Sequence, residues 1–104
     1  MIEGLEARLA TLAAAGETTT YGALARDLRL TGPGTIAQLT GALEALMEAD
    51  AAAQTPLRAA LLTARGSSLP APGFFAKARA FGLTPDDPAA FAAAHRAALF
   101  ATAR

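Results

Sequence analysis

The hydrophobic pattern predicts a helix at the start of the chain. Leu5, Leu9 and Leu12 are four and three residues apart, the spacing of one helix face, and Gly16 follows them as a terminator. The polar, β-branched residues 17–20 then predict a short extended link or a helix cap. We therefore predict a first helix over 3–15 and a break before residue 21.

Two further helices are predicted between residues 21 and 53. Leu24 and Leu28 lie four apart in a helix over about 21–28, and residues 29–34 break it with two glycines and a proline. The next helix, over about 35–53, has the clearest amphipathic stripe, formed by Ile36, Leu39, Leu43, Leu46 and Met47. Two helices joined by a short glycine-containing turn are typical of a helix-turn-helix, here about 20–53, with the second helix as the recognition helix.

The pattern changes after Pro56. The apolar segment 57–64 is short and lies between a proline and a Gly-Ser turn, which predicts a strand and a short return strand that ends at Pro70. A β-hairpin directly after a recognition helix is a wing, here about 57–70. Two C-terminal helices are predicted over about 73–103, the first closed by Gly82 and the second capped by Thr84.

These elements predict a single domain over residues 1–104. Its expected class is mostly α with a small β-hairpin: a winged helix-turn-helix with one N-terminal helix and two C-terminal helices. No uninterrupted apolar run reaches the ~18 residues of a membrane span, and the N-terminus lacks a signal-peptide pattern, so we expect a cytoplasmic protein. The excess of alanine and of arginine over lysine is typical of GC-rich bacterial coding sequences.

Charge and residue usage exclude several classes of function. Nine basic residues balance nine acidic ones, which argues against a broadly basic nucleic-acid coat and against an acidic tail. The absence of cysteine removes disulfides, thiolate catalysis and sulfur-ligated metals, and the single histidine argues against His-rich metal sites and Ser-His-Asp triads. We therefore expect no enzymatic activity, no cofactor, no metal and no small-molecule substrate.

One stretch of the sequence resembles a known family. Thr19-Thr20-Tyr21-Gly22-Ala23-Leu24-Ala25 is similar to the T-Y-G-x-L-A entry to the helix-turn-helix of the alkylguanine-DNA alkyltransferases and of the smaller alkyltransferase-like proteins. Segment 37–43 is similar to that family's A-R-A-V-G-x-A-L recognition-helix segment, and Pro56-Leu57-Arg58 stands where the family has P-C-H-R-V. The resemblance covers roughly residues 16–83. It implies a winged helix-turn-helix on DNA, with Tyr21 helping to turn a target nucleotide out of the duplex.

The sequence departs from the family at its reactive centre. The catalytic cysteine and its adjacent histidine are absent, with Leu57 near their place, and alkyl transfer requires a thiolate. The arginine that family members insert into the base stack falls at Gln38, which has no charge and fewer donors. The resemblance therefore implies binding without catalysis.

Six residues are candidate DNA contacts: Tyr21, Arg29, Thr35, Gln38, Arg58 and Arg65. Thr35 and Gln38 are predicted on the recognition-helix face opposite its apolar stripe, where glutamine pairs bidentately with adenine. The arginines, with Arg26, Lys77 and Arg79 as further cations, are candidate phosphate contacts.

Each of these assignments has an ordinary structural alternative. The Tyr21 ring packs equally well on a core with its hydroxyl in water, and Thr35 and Gln38 equally well face solvent. Acidic side chains on the recognition helix, Glu44 and Glu48, would repel phosphate, and surface arginines also serve simply to balance them.

Double-stranded DNA binding is the leading function predicted from the sequence. The alternative, favoured by the neutral charge, is a protein-interaction adapter that uses the same fold. A third hypothesis is alkyltransferase-like recognition of alkylated bases. The C-terminal helix is nearly all alanine and phenylalanine, with Phe91, Leu99 and Phe100 and few charges. An exposed apolar face on it would mark a contact with a protein partner or a homodimer contact.

Overall fold

Residues 2–103 of the chain are described in a computed structural model, and they form five α-helices and a two-stranded sheet. In chain order the elements are α1 (Leu5–Ala15), β1 (Thr19–Thr20), α2 (Tyr21–Asp27), α3 (Thr35–Ala53), a 3₁₀ helix (Arg58–Leu61), β2 (Leu62–Thr63), α4 (Pro72–Ala80) and α5 (Pro88–Thr102). The predicted class, mostly helical with a small sheet, is confirmed at this level. Within the described part, no helix has both the length and the apolar character needed to cross a membrane.

The N-terminal helix forms as its leucine spacing predicts. Leu5, Leu9 and Leu12 are all buried on one face of α1. Gly16 ends the helix in the left-handed conformation, at φ 69°, and donates its backbone N–H to the carbonyl of Ala13 at 3.1 Å. A left-handed terminator favours glycine because a Cβ would be strained there.

The long helix α3 is the centre of the core. It packs against α2, the 3₁₀ helix and α4, and buries Leu39, Leu43 and Met47. The prediction that Ile36 belongs to the same buried stripe is wrong, because its side chain is 48% exposed. It lies in the first turn of α3, beside the exposed residues 31–34, where no described element covers it.

The two strands pair in parallel, with Thr19 opposite Leu62 and Thr20 opposite Thr63. The predicted β-hairpin over 57–70 is therefore wrong. Residues 58–61, rich in alanine and leucine, form a 3₁₀ helix instead of a strand, since these are poor strand formers. The chain does reverse after β2, with the Ala64 N–H donating to the Leu69 carbonyl at 2.8 Å. Pro70 and Pro72 follow at once, and without N–H groups they cannot extend a return strand.

The C-terminal helix starts later than predicted. Asp87, not Thr84, is its N-cap, and its Oδ1 accepts a hydrogen bond from Ala90 N–H at 3.1 Å. Along α5, Leu99 is buried and Phe91 and Phe100 are partly buried against the core, so its exposed positions are mostly alanine. A homodimer or protein contact through this helix stays a prediction.

Candidate nucleic-acid interface

The start of α2 is held by a strand pair and by a threonine cap. Thr20 has extended backbone angles, pairs with Thr63 in the sheet, and accepts a hydrogen bond from Ala23 N–H at its Oγ1, 3.1 Å away. This N-cap bond satisfies a donor that the helix itself leaves without a partner. The cap and the strand pair together fix the position of the next residue, Tyr21.

Tyr21 is partly buried, and its ring packs against the hydrophobic core. Burial is the main cause that raises the pKa of its phenol; the backbone of Ala71 lowers it by less, and the carboxylate of Glu44 raises it slightly further. The hydroxyl therefore stays protonated at neutral pH and is available as a hydrogen-bond donor. The same side chain also lines an open cleft.

This cleft, about 810 Å³ in volume, lies between α2, α3, the segment after β2 and the start of α4. Buried apolar side chains form its inner wall: Leu43, Met47, Ala59 and Phe74. Partly or fully exposed residues line the rest: Tyr21, Arg26, Ile36, Thr40, Glu44 and Arg65. An apolar wall with a few polar groups at the rim is the usual composition of a binding cleft.

The charges at the cleft are mainly positive. Arg26 and Arg65 are exposed and form no ion pair within residues 2–103. Arg26 lies over the backbone of Gly22, since a Cβ added there would be 3.8 Å from its Nη1. The one carboxylate of the cleft, Glu44, has Lys77 Nζ 4.0 Å from its Oε1. Two guanidinium groups are thus available beside Tyr21.

Arg29 follows the end of α2 in an unusual conformation. Its φ is 58°, in the left-handed region that favours glycine, and its side chain is exposed without an ion pair in the described residues. Its backbone N–H donates to the Arg26 carbonyl at 3.0 Å, which closes the end of the helix. An arginine in this left-handed conformation carries a conformational cost that a glycine would not.

Thr35 and Gln38 do not join Tyr21 at the cleft. The Thr35 hydroxyl donates to the Gly32 carbonyl at 2.6 Å and thereby serves the turn that begins α3. Gln38 is exposed, but it lines a second groove, on the side of α3 that faces Leu5 and Arg58. Ile36 faces the Tyr21 cleft instead, as expected for two helical positions about 200° apart.

Arg58 is engaged inside the protein. Its Nη2 is 2.9 Å from Oδ1 of Asp50, a side chain only 7% exposed, and its Nη1 is 2.7 Å from Oε1 of Glu6. Hydrogen bonding to Asp50 is the main cause that raises the Arg58 pKa, with Glu6 adding to it. Its backbone N–H also donates to Asp50 Oδ2 at 3.0 Å. Because this guanidinium neutralises a buried carboxylate, Arg58 is poorly placed to contact phosphate.

The structure thus brings together Tyr21 and Arg65 of the six predicted residues, and adds Arg26 to them. No group of three or more His, Asp and Glu side chains within residues 2–103 is arranged to hold a metal ion.

Comparison of the chain with protein-family models, with curated proteins and with solved structures found no match. The resemblance to the alkyltransferases therefore stays a prediction made from the residues quoted above.

Two features of this region were missed by sequence reasoning. No feature of the sequence indicates that Ile36 is exposed, because its spacing from Leu39 and Leu43 fits the buried stripe. Arg96 of α5 donates to backbone carbonyls beside the cleft, but its acceptors lie 28–36 residues away in the chain. Carbonyl groups are common to all residues, so no motif marks such a contact.

Proposed function

We propose that this chain is a non-enzymatic domain that binds double-stranded DNA through α2, the connection 28–34 and the N-terminal half of α3, in the manner of a helix-turn-helix. The observation that carries the proposal is that Arg26 and Arg65, from two separate segments of the chain, line the same cleft as Tyr21. No catalytic step is included, because the sequence contains no cysteine and its one histidine accepts a backbone hydrogen bond.

The distribution of ion pairs supports this surface in spite of the zero net charge. Asp27, which follows Arg26 in the chain, is bound by Arg8 at 3.1 Å. Asp50 and Glu6 are bound by Arg58. These three carboxylates therefore pair with Arg8 and Arg58, and Arg26 and Arg65 form no ion pair within residues 2–103 and are left to interact with phosphate.

On α3, Gly41 lies away from these cations, because it lines the second groove together with Gln38. Gly41 lies in the middle of the helix and is exposed, and a Cβ added there would meet no atom within 4 Å. A helical glycine costs about 1 kcal/mol relative to alanine, and nothing inside the protein requires one here. Gly41 therefore lies outside the cleft, and a substitution there tests whether DNA binding is confined to the cleft.

The proposal is tested by fluorescence anisotropy on a labelled duplex across a series of salt concentrations. Each phosphate contact contributes about 0.9 to the slope of log affinity against log salt. We expect Arg26→Ala, Arg29→Ala and Arg65→Ala each to reduce that slope by about this amount. Arg79→Ala is the matched control, since it removes an equal charge from an exposed position on α4 that lies outside both the cleft and the proposed surface of α2, the connection 28–34 and α3.

Two results contradict the proposal. One is the absence of duplex binding at low salt, which would favour the protein-interaction adapter. The other is an equal loss of slope in Arg79→Ala, which would mean that binding depends on total charge and not on this surface.

A second candidate function, recognition of an alkylated base, is favoured by the cleft itself. Its volume of about 810 Å³ is ample for a nucleobase, and Tyr21 lines it. An enzyme or binder that reads a single base in this way must receive it out of the stack. This hypothesis rests on the family resemblance as well as on the cleft.

Paired duplexes, with and without a central O6-alkylguanine, distinguish the two functions. Base recognition requires tighter binding to the alkylated duplex and loss of that preference in Tyr21→Ala. Equal affinity for both duplexes would remove this second function and leave general duplex binding in place.

A further inference from the structure

Arg96 makes contacts unlike those of any other arginine described. From α5 its Nε donates to the Ala60 carbonyl at 2.6 Å, its Nη1 to the Ser68 carbonyl at 2.9 Å and its Nη2 to the Leu62 carbonyl at 3.4 Å. One side chain thus joins the 3₁₀ helix, β2 and the loop that follows β2. The planar guanidinium, with five donors in a fixed fork, is suited to three acceptors at once.

These contacts come at an electrostatic cost. Burial lowers the pKa of Arg96, and within residues 2–103 no carboxylate lies within ion-pairing distance of it. Arg58, by contrast, has two carboxylate partners. A partly desolvated cation without a counter-ion is unfavourable, so the three carbonyl acceptors must offset that cost.

The loop 64–69 has few other attachments. Its remaining hydrogen bonds are internal: Ser67 N–H to the Ala64 carbonyl at 3.0 Å, Leu69 N–H to Ser67 Oγ at 3.0 Å, and Ala64 N–H to the Leu69 carbonyl at 2.8 Å. Among the described residues, the bond from Arg96 to Ser68 is the hydrogen bond that links this exposed loop to a different element. Arg96 is therefore the hydrogen-bonded link between α5 and this loop.

The same loop carries Arg65 and Gly66 to the rim of the Tyr21 cleft. We propose that Arg96 is a positioning residue that anchors the loop 64–69 and so holds Arg65 at the DNA-binding surface. This inference rests on the proposed function. It assigns to α5 a part in DNA binding that requires no contact between α5 and DNA.

The test compares Arg96→Met, which removes the charge and all donors, with Arg96→Lys, which keeps the charge but loses the fork. We expect both to weaken duplex binding roughly two- to tenfold, the cost of immobilising one more mobile group on binding. The salt slope should stay that of the wild type, because Arg96 touches no phosphate. In an Arg65→Ala background, Arg96→Met should have no further effect on affinity.

A measurement without DNA separates the anchor from the binding function. Amide hydrogen exchange at loop 64–69 should be faster in both Arg96 variants and unchanged in Arg79→Met, a matched control on α4. Exchange in α1, which lies outside the loop, reports whether each variant is still folded.

Three outcomes would overturn the proposal. Unchanged loop exchange in both Arg96 variants would show that the loop has no need of the anchor. A further drop of about 0.9 in the salt slope when Arg96→Met is added to Arg65→Ala would make Arg96 a direct phosphate contact. Additive losses of affinity in the double variant would mean that Arg96 does not act through Arg65.

If the wild-type chain binds no duplex, the proposed function fails together with the role of Arg96 in it. The exchange data still decide whether the anchor exists.

Discussion

The imidazole of His95 accepts a hydrogen bond from the backbone N–H of Leu57 at Nδ1, 2.9 Å away, and lies against the ring of Phe91 with ring centroids 4.5 Å apart. A protonated imidazole has no lone pair left at Nδ1, so this bond requires the neutral form. Burial is the main cause that lowers the His95 pKa, and the carboxylate of Asp50 opposes it. A single side chain thus makes the start of the 3₁₀ helix sensitive to acid.

We predict that the free energy of unfolding falls as the pH is lowered through the ordinary histidine pKa of about 6.5. The unfolded chain binds the proton more readily than the folded one, so the contribution of His95 is complete above that value and is lost towards the lower folded pKa. Urea unfolding between about pH 7.5 and about pH 5.5 measures this change.

His95→Asn is the matched variant, because its amide oxygen can accept the same hydrogen bond and does not titrate. Its free energy of unfolding should change less with pH over the same interval. An identical pH dependence in the wild type and the variant would show that other groups cause it.

Arg58 leads to a second prediction at the residue scale. Because Asp50 is buried, Arg58→Met leaves an uncompensated carboxylate in the interior and should lower the free energy of unfolding by about 3 kcal/mol. Glu6→Gln, at the 57% exposed end of the same network, should cost less than about 1 kcal/mol. Urea unfolding of the two variants checks the difference. Equal losses of unfolding free energy would mean that the exposed pair of Arg58 with Glu6, and not the buried carboxylate, contributes most of the stability.

At the scale of an element, α3 contains a helical glycine whose replacement should stabilise the fold. We predict that Gly41→Ala raises the free energy of unfolding by about 0.5–1 kcal/mol, because the backbone is helical there and the new methyl group meets no atom. The same change should leave duplex binding unchanged, because Gly41 lines the second groove and not the cleft that contains Tyr21, Arg26 and Arg65. Thermal unfolding and anisotropy on one sample measure both effects.

Ala45→Gly, one turn later on the exposed side of α3, is the control for helix propensity. It should lower stability by about the same amount. A Gly41→Ala protein that is no more stable than the wild type, or that binds DNA more weakly, would contradict this prediction.

At the scale of the whole molecule, size and surface set the expected assembly. The backbone extends 35 × 29 × 28 Å, which is close to one turn of B-DNA. Ile36 is the one large hydrophobic side chain that is exposed within the described residues, so no other large apolar side chain is available there to anchor a dimer.

We predict that the chain binds as a monomer and that a duplex of about 12 base pairs is sufficient for full affinity. Analytical ultracentrifugation of the complex and anisotropy on shortened duplexes measure the two quantities. A requirement for a duplex of about two turns, with two chains per complex, would point to a dimer instead.

The sequence by itself determined the helical elements and the limits on chemistry. Leucine spacing in α1 and α3 predicted both helices, because a side chain's position around a helix depends only on its neighbours in the chain. The lack of cysteine excluded a thiolate without reference to any structure.

Only the tertiary structure decided how distant segments meet. The parallel pairing of Thr19 with Leu62, the ion pair between Asp50 and Arg58 and the Arg96 contacts have no periodicity that marks them in the sequence. Each joins groups whose partner is set by packing, and several use backbone atoms that every residue possesses. The exposure of Ile36 and the capture of Arg58 by a buried carboxylate were fixed in the same way, because burial is a property of the assembled fold and not of the local chain.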